Sequence, residues 1–178
     1  MARPTRRIVT GHDREGRSII WKDGPAPSIF EPKARPGEAI TELWRTGAAP
    51  ASNRGSEDPA SAPPAAPQLH PPENGTVFRI VDFPPDAQVR GGDAARLFAE
   101  FGAGGAHVKD GRDAMMHKTA TVDYALVLEG EICAVMDVGE TVMRAGDVLV
   151  QRGTSHSWSN RSDKSCRVAF ILVAAAPL

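Results

Sequence analysis

The chain reads as all-β, a small barrel or sandwich, on three observations. From Ala114 to Ala174 short apolar runs follow one another at regular spacing. Turn signals separate them, at Glu129-Gly130, Val138-Gly139-Glu140, Ala145-Gly146-Asp147, Arg152-Gly153 and Ser162-Asp163-Lys164. No helical period interrupts the series, which disfavours a parallel α/β sheet. A length of 178 residues suits one domain with an accessory arm, and is enough chain for a core without disulfide staples.

Taken in order, Arg6 to Thr10 and Arg17 to Lys22 predict two short strands. The turn formers Gly11 to Gly16 join them into a hairpin, with His12 as a loop residue. Arg3, Arg6 and Arg7 are expected to be a solvated terminal cluster. Gly24-Pro25-Ala26-Pro27 ends the hairpin, and Ala39 to Arg45 forms a third segment, strand or irregular, so residues 1–47 read as a hairpin arm. Residues 48–74 are nearly free of large apolar side chains. Such a stretch buries too little surface to offset its conformational entropy, and reads as a mobile, partly polyproline-like linker with His70 at its end.

Residues 75–178 make the barrel. Thr76 to Phe83 is an alternating strand stopped by Pro84-Pro85. Asp93 to Phe101 is the one convincing helix: Asp93 can cap it, Ala94, Leu97, Phe98 and Phe101 form its apolar stripe, and Gly102 ends it. The later strands are Met115–Asp123, Tyr124–Leu128, Glu131–Asp137, Thr141–Arg144, Val148–Gln151, Ser155–Asn160 and Cys166–Val173.

Composition narrows the function classes. A net charge of -1 gives no sign of a nucleic-acid surface. No apolar run approaches the roughly 18 residues that a membrane span needs. The start Met-Ala-Arg-Pro-Thr-Arg-Arg lacks the apolar segment of a signal peptide, so the cytoplasm is expected. Cys133 and Cys166 fall in apolar strand patterns and read as small buried hydrophobes.

Strand parity supplies the candidate chemistry. Every second side chain of a strand shares a face, so His117, Thr119, Thr121 and Asp123 point one way. His156, Trp158 and Asn160 alternate likewise. Two strands that aim an imidazole at one interior make a metal or catalytic site. Met115 would give that interior an apolar wall. Trp158 would either stack on a flat ligand or serve as a core residue. Gln151 and Arg152 are candidates to orient a substrate carboxylate or phenolate, for which the arginine fork is suited; an exposed turn arginine is the simpler account of Arg152.

The spacing also carries a resemblance. Gly111, five residues, His117, one residue, Thr119, three residues, Asp123, six residues, Gly130 resembles the first motif of the cupin family. Thr119 stands where the family has His, and Asp123 where it has Glu. Gly146 to Gly153, two residues, His156, three residues, Asn160 resembles the second motif, with Gln151 in place of the usual proline and one residue fewer between the glycines. The stretches around Thr121–Glu131 and Val150–Trp158 also look like small single-barrel cupins that include oxidoreductases of fungal polyketide pathways.

This resemblance implies a jelly-roll barrel with a metal held between the motifs. Carried over by position, the ligands would be His117, His156 and Asp123, a two-histidine, one-carboxylate set that suits Fe(II), with Zn or Mn as alternatives. Thr119, Met115, Gln151, Trp158 and Arg152 would touch the substrate. The function expected is a metal-dependent oxidoreductase, or a lyase or decarboxylase, on an aromatic or polyketide-like small molecule. The alternative is a binding cupin that carries no metal. Small cupins commonly pair, so a homodimer is expected, with the arm packed on its own barrel or exchanged.

Overall fold

The computed structural model describes residues 3–61, 67–89, 94–103 and 105–177. Among these, two sheets face each other. The larger has the order β3 (Ser28–Phe30), β4 (Ala39–Thr46), β5 (Thr76–Phe83), β11 (Cys166–Ala174), β6 (Thr121–Glu129) and β9 (Val148–Arg152). The smaller has β10 (His156–Ser159), β7 (Glu131–Met136) and β8 (Glu140–Arg144). β1 (Arg6–His12) and β2 (Ser18–Pro25) form a separate hairpin. The expected all-β barrel is the fold observed.

Alternation in the strands explains the closure. In β6, Thr121, Asp123, Ala125 and Val127 are buried while Tyr124, Leu126 and Leu128 are exposed. Val77, Val81, Phe83, Phe170 and Leu172 of β5 and β11 meet Ile132, Ala134, Met143 and Trp158 of the smaller sheet in one core. α1 (Ala94–Glu100) adds Leu97 and Phe98 to that core, and Phe101 follows. Gly102 ends the helix with φ 60°, as expected; Asp93, the expected cap, lies outside the described residues.

Four expectations change. The run Met115–Asp123 is not one strand: β6 begins at Thr121 and continues past Tyr124 to Glu129. Upstream of it the chain touches the sheets by single bridges, His107 to His117 and His117 to His156. The third segment of the arm is a full strand of the large sheet, β4 paired to β5, because Ile40 supplies core and Thr41, Glu42 and Leu43 are buried beside it.

The arginine cluster is docked rather than solvated. Arg7 is clamped by Asp58 at 2.9 Å and donates to the Leu43 carbonyl at 3.0 Å, while Arg3 reaches Glu129 at 2.8 Å and Asp82 at 3.5 Å. Arg6, paired to Asp23, stays in an exposed setting, as does the Arg3 pair with Glu129. The physical reason is that the chain start lies along the outer sheet face, where carboxylates await it. The same contact shows that the 48–74 stretch has anchors: Asp58 and Ala60 are buried, and Leu69 packs against the core.

The Arg7–Asp58 pair is buried on both sides, so it yields a stability prediction. Hydrogen bonds from Arg7 hold the Asp58 carboxyl down at about 2, against an ordinary 3.8. Its contribution is therefore complete above about pH 4 and is lost as pH falls towards 2. Asp58→Asn should cost about 3 kcal/mol at pH 7 in denaturant unfolding, because it strands a buried guanidinium, and the difference from wild type should shrink below pH 3.

Candidate functional site

The interior holds a cavity of about 100 Å³. Its wall is apolar, from Ile40, Leu69, Val81, Phe83, Leu97, Phe101, Met115 and Leu172, and aromatic, from Phe98, Trp158 and Phe170. Polar groups enter at a few places: His117, His156, Thr119, Asp123, Arg79, Arg35 and Glu38. An apolar chamber with few convergent polar groups is the usual form of a small-molecule site.

The two imidazoles come together through backbone. His117 N–H donates to the His156 carbonyl at 2.8 Å, and His156 N–H donates back at 2.9 Å. Their rings lie 4.2 Å apart, centre to centre. Gly111 packs tightly on Met116, the residue before His117: a Cβ at Gly111 would sit 2.5 Å from the Met116 Cβ.

Each ring is fixed in one tautomer. His117 Nδ1 lies 3.0 Å from the Met115 carbonyl and His156 Nδ1 lies 2.9 Å from the Thr154 carbonyl. A carbonyl only accepts, so both Nδ1 atoms carry the proton and both Nε2 atoms are bare. Burial, helped by the neighbouring His156, pushes His117 down to about 3. Burial lowers His156 as well. The pair is neutral at pH 7, so each Nε2 is a hydrogen-bond acceptor.

Rings continue on both sides. Phe98 contacts His117 at 5.4 Å and stacks on His107 at 4.8 Å. Trp158 meets His156 edge-on at 5.8 Å and Phe170 at 5.2 Å. Trp158 is therefore a core residue that also forms part of the cavity wall.

Asp123 is in the cavity but not with the histidines as a ligand set. Its carboxyl is raised to about 6 by burial, opposed by a bond from Thr121 and by the charge of Arg79. Thr119 hydrogen-bonds Thr121 at 2.7 Å. The strand that should have carried His117 and Asp123 on one face begins only at Thr121, so their parity is not continuous. Among the described residues, no group of three or more His, Cys, Asp or Glu side chains is placed to hold a metal ion. The bare Nε2 atoms are two suitable donors where catalytic sites take three. The residues present therefore do not complete the expected Fe(II), Zn or Mn site, and no step below runs through a metal.

The other sequence candidates divide. Met115 lines the cavity. Gln151 is buried beside Asp123, but its amide is held by the carbonyl and hydroxyl of Thr154. It shapes the turn before His156 instead of facing a ligand. Arg152 is exposed and lines surface grooves outside the barrel. Adjacent strand residues face opposite sides, so Gln151 and Arg152 never had a common interior.

Residues not singled out from sequence also reach the cavity. Arg79 and Glu42 look like outward polar positions in short strands, yet both are buried. Arg35 and Glu38 precede β4 and pair at 3.0 Å. Burial lifts Glu38 to about 7 against the pull of Arg35. Leu69 comes from the linker, where composition gave no sign of it.

Residues 105–173 match the model of the Cupin domain family. Over 178 aligned residues the chain is 30% identical to Phomopsin biosynthesis cluster protein C' of Diaporthe leptostromiformis, spanning 99% of this chain and 82% of that protein. It is also 30% identical to the cupin-domain-containing oxidoreductase fogC of Aspergillus ruber, over 94% of this chain and 71% of that one. The chain belongs to the cupin family. A Cupin 2 conserved barrel domain protein from Salinispora arenicola aligns with this cupin at a TM-score of 0.38 and 15% identity, over 56% of this chain and 64% of that one. No helix among the described residues is long and apolar enough to cross a membrane.

The tautomers of this cupin are directly measurable. Long-range ¹H–¹⁵N NMR at pH 7 should show Nδ1–H and a bare Nε2 for both His117 and His156. His117 should stay neutral on acidification to pH 5. Unfolded histidine takes its proton near 6.5, so the stability tied to this ring is complete above that pH and declines as pH falls from 6.5 towards 3. A protonated His117 ring in folded protein at pH 6 would contradict the assignment.

Proposed function

We propose that this cupin is an oxidoreductase acting on a compact aromatic or polyketide-like molecule held inside the barrel. One observation carries the reading: two neutral imidazoles, their rings 4.2 Å apart and each with an unprotonated Nε2, line a largely apolar, ring-lined chamber. The names of relatives such as the oxidoreductase fogC support the reaction class. The chain's own residues supply binding, exclusion of water and a hydrogen-bond acceptor. Phe98 and Trp158 offer faces to a flat ligand. The substrate gives up two electrons and two protons to dioxygen, which leaves as hydrogen peroxide; His117 Nε2 or His156 Nε2 accepts the hydrogen bond of the substrate hydroxyl, and the Nδ1–H bonds to backbone hold the rings in place.

The test is turnover on a panel of hydroxylated aromatic compounds in air, read by mass spectrometry, with metal content measured on the same preparations. Wild type should lower the mass of at least one compound by two hydrogens. His117→Ala and His156→Ala should each lower that rate by about 100-fold or more while keeping the fold. Binding of the panel with no mass change would make the protein a carrier. A stoichiometric divalent ion lost in both variants would assign the imidazoles a ligand role instead.

We also propose a homodimer through the outer face of the large sheet. Phe78, Ile171, Tyr124 and Val150 lie side by side in register on β5, β11, β6 and β9, and all are exposed. Leu126, Leu128 and Val148 extend the patch, and a contiguous exposed apolar face of this kind marks an interaction surface. Light scattering should give twice the chain mass, and Tyr124→Lys with Ile171→Lys should halve it; a monomer in wild type would contradict the proposal.

A further inference from the structure

The arginines at the cavity are not equally satisfied. Arg35 has two carboxylates, Glu38 at 3.0 Å and Asp86 at 3.0 Å. Arg79 shares one. Its Nη2 lies 2.9 Å from Glu42, and Glu42 is also the partner of Arg45. Two guanidinium groups therefore divide a single carboxylate. Asp123 is the remaining acid nearby, and it makes no ion pair with Arg79 among the described residues.

Arg79 is 4% exposed, and its buried Nε–H has no hydrogen-bond partner and no carboxylate against it, whereas Arg35 Nε, also without a well-directed hydrogen bond, lies 3.0 Å from Glu38. Its other contact is Nη2 to the Gln68 carbonyl at 2.8 Å, which fixes the segment that brings Leu69 over the cavity. An unpaired buried donor on a cation is costly. Burial pushes the Arg79 guanidinium down from its ordinary range, as expected of a cation short of counter-charge. Meanwhile the wall around it is apolar and aromatic.

We propose that Arg79 is the anion-binding residue of this cavity, and that the ligand is a compact hydrophobic molecule bearing a carboxylate or an equally acidic oxygen. The inference rests on the cavity being the ligand site, as in the proposed function, and it names the ligand's charge. The ligand's oxygen accepts from Arg79 Nε–H and supplies the charge that Glu42 divides between two partners. Its apolar body lies against the rings of Phe98 and Trp158 and faces the bare Nε2 atoms. The role imagined for Arg152 from sequence falls to Arg79, which has the same fork but faces inward.

The experiment compares benzoate with benzamide, which share a shape and differ in charge, by NMR titration of the full chain followed at the Trp158 indole N–H. Wild type should bind benzoate at least tenfold more tightly. In Arg79→Met that ratio should fall to about one. Because Arg79→Met removes a buried ion pair, Glu42→Gln provides an independent arm: freeing Arg79 of its competing carboxylate should tighten benzoate several-fold and leave benzamide unchanged. Equal binding of the two probes to wild type, no binding of either, an intact preference in Arg79→Met, or unchanged or weaker benzoate binding in Glu42→Gln would each overturn the assignment. Turnover on the aromatic panel plays no part in this readout, so failure of the oxidoreductase reading and failure of the anion site are separable.

Discussion

A single pair of reciprocal backbone hydrogen bonds, His117 to His156 and back, ties the loop before β6 to the smaller sheet. Everything at the candidate site depends on it. The bonds bring two imidazoles to 4.2 Å without any contact between the rings having to enforce it. Each ring is then oriented by the carbonyl two residues earlier in its own segment. Backbone geometry thus decides tautomer, and tautomer decides that the Nε2 atoms are acceptors.

Charge is distributed to match. Burying a charged group is expensive unless it is paired. Arg35 meets Glu38 and Asp86. Arg79 and Arg45, among the described residues, share the carboxylate of Glu42. The imidazoles of the same cavity are neutral, held so by burial. The interior therefore has one cation with two carboxylates, one cation that shares a carboxylate, and two neutral imidazoles, all within a largely apolar wall. That asymmetry distinguishes a binding chamber from a merely filled core.

Much of this was legible in sequence, for physical reasons. Regular alternation and glycine-bearing turns fixed β5, β7, β8 and β11 to within a residue or two, because one face of each strand must be buried. His117, His156, Met115 and Trp158 were placed inward by the same parity, and the structure has them lining the cavity. Counting also put Thr119 and Asp123 on the side of His117, and both line the cavity with it although the chain is irregular between His117 and Thr121; what counting could not give is the arrangement of the carboxyl relative to the two rings. Parity was misapplied to Gln151 and Arg152, neighbours that strand geometry separates. Arg79 and Glu42 were missed because each looks like an ordinary outward residue, and only the pairing of β4 with β5 brings the two together inside. Leu69 lay in a stretch whose composition suggests solvent, while a single bond from Arg79 to Gln68 draws it in.

The most direct test of the central claim is a crystal structure of the protein grown with an aromatic carboxylate. The account predicts the ring between Phe98 and Trp158, the carboxylate on Arg79, and the Nε2 atoms of His117 and His156 turned towards the ligand. A carboxylate bound outside the barrel, with those two rings facing away from the cavity, would contradict it.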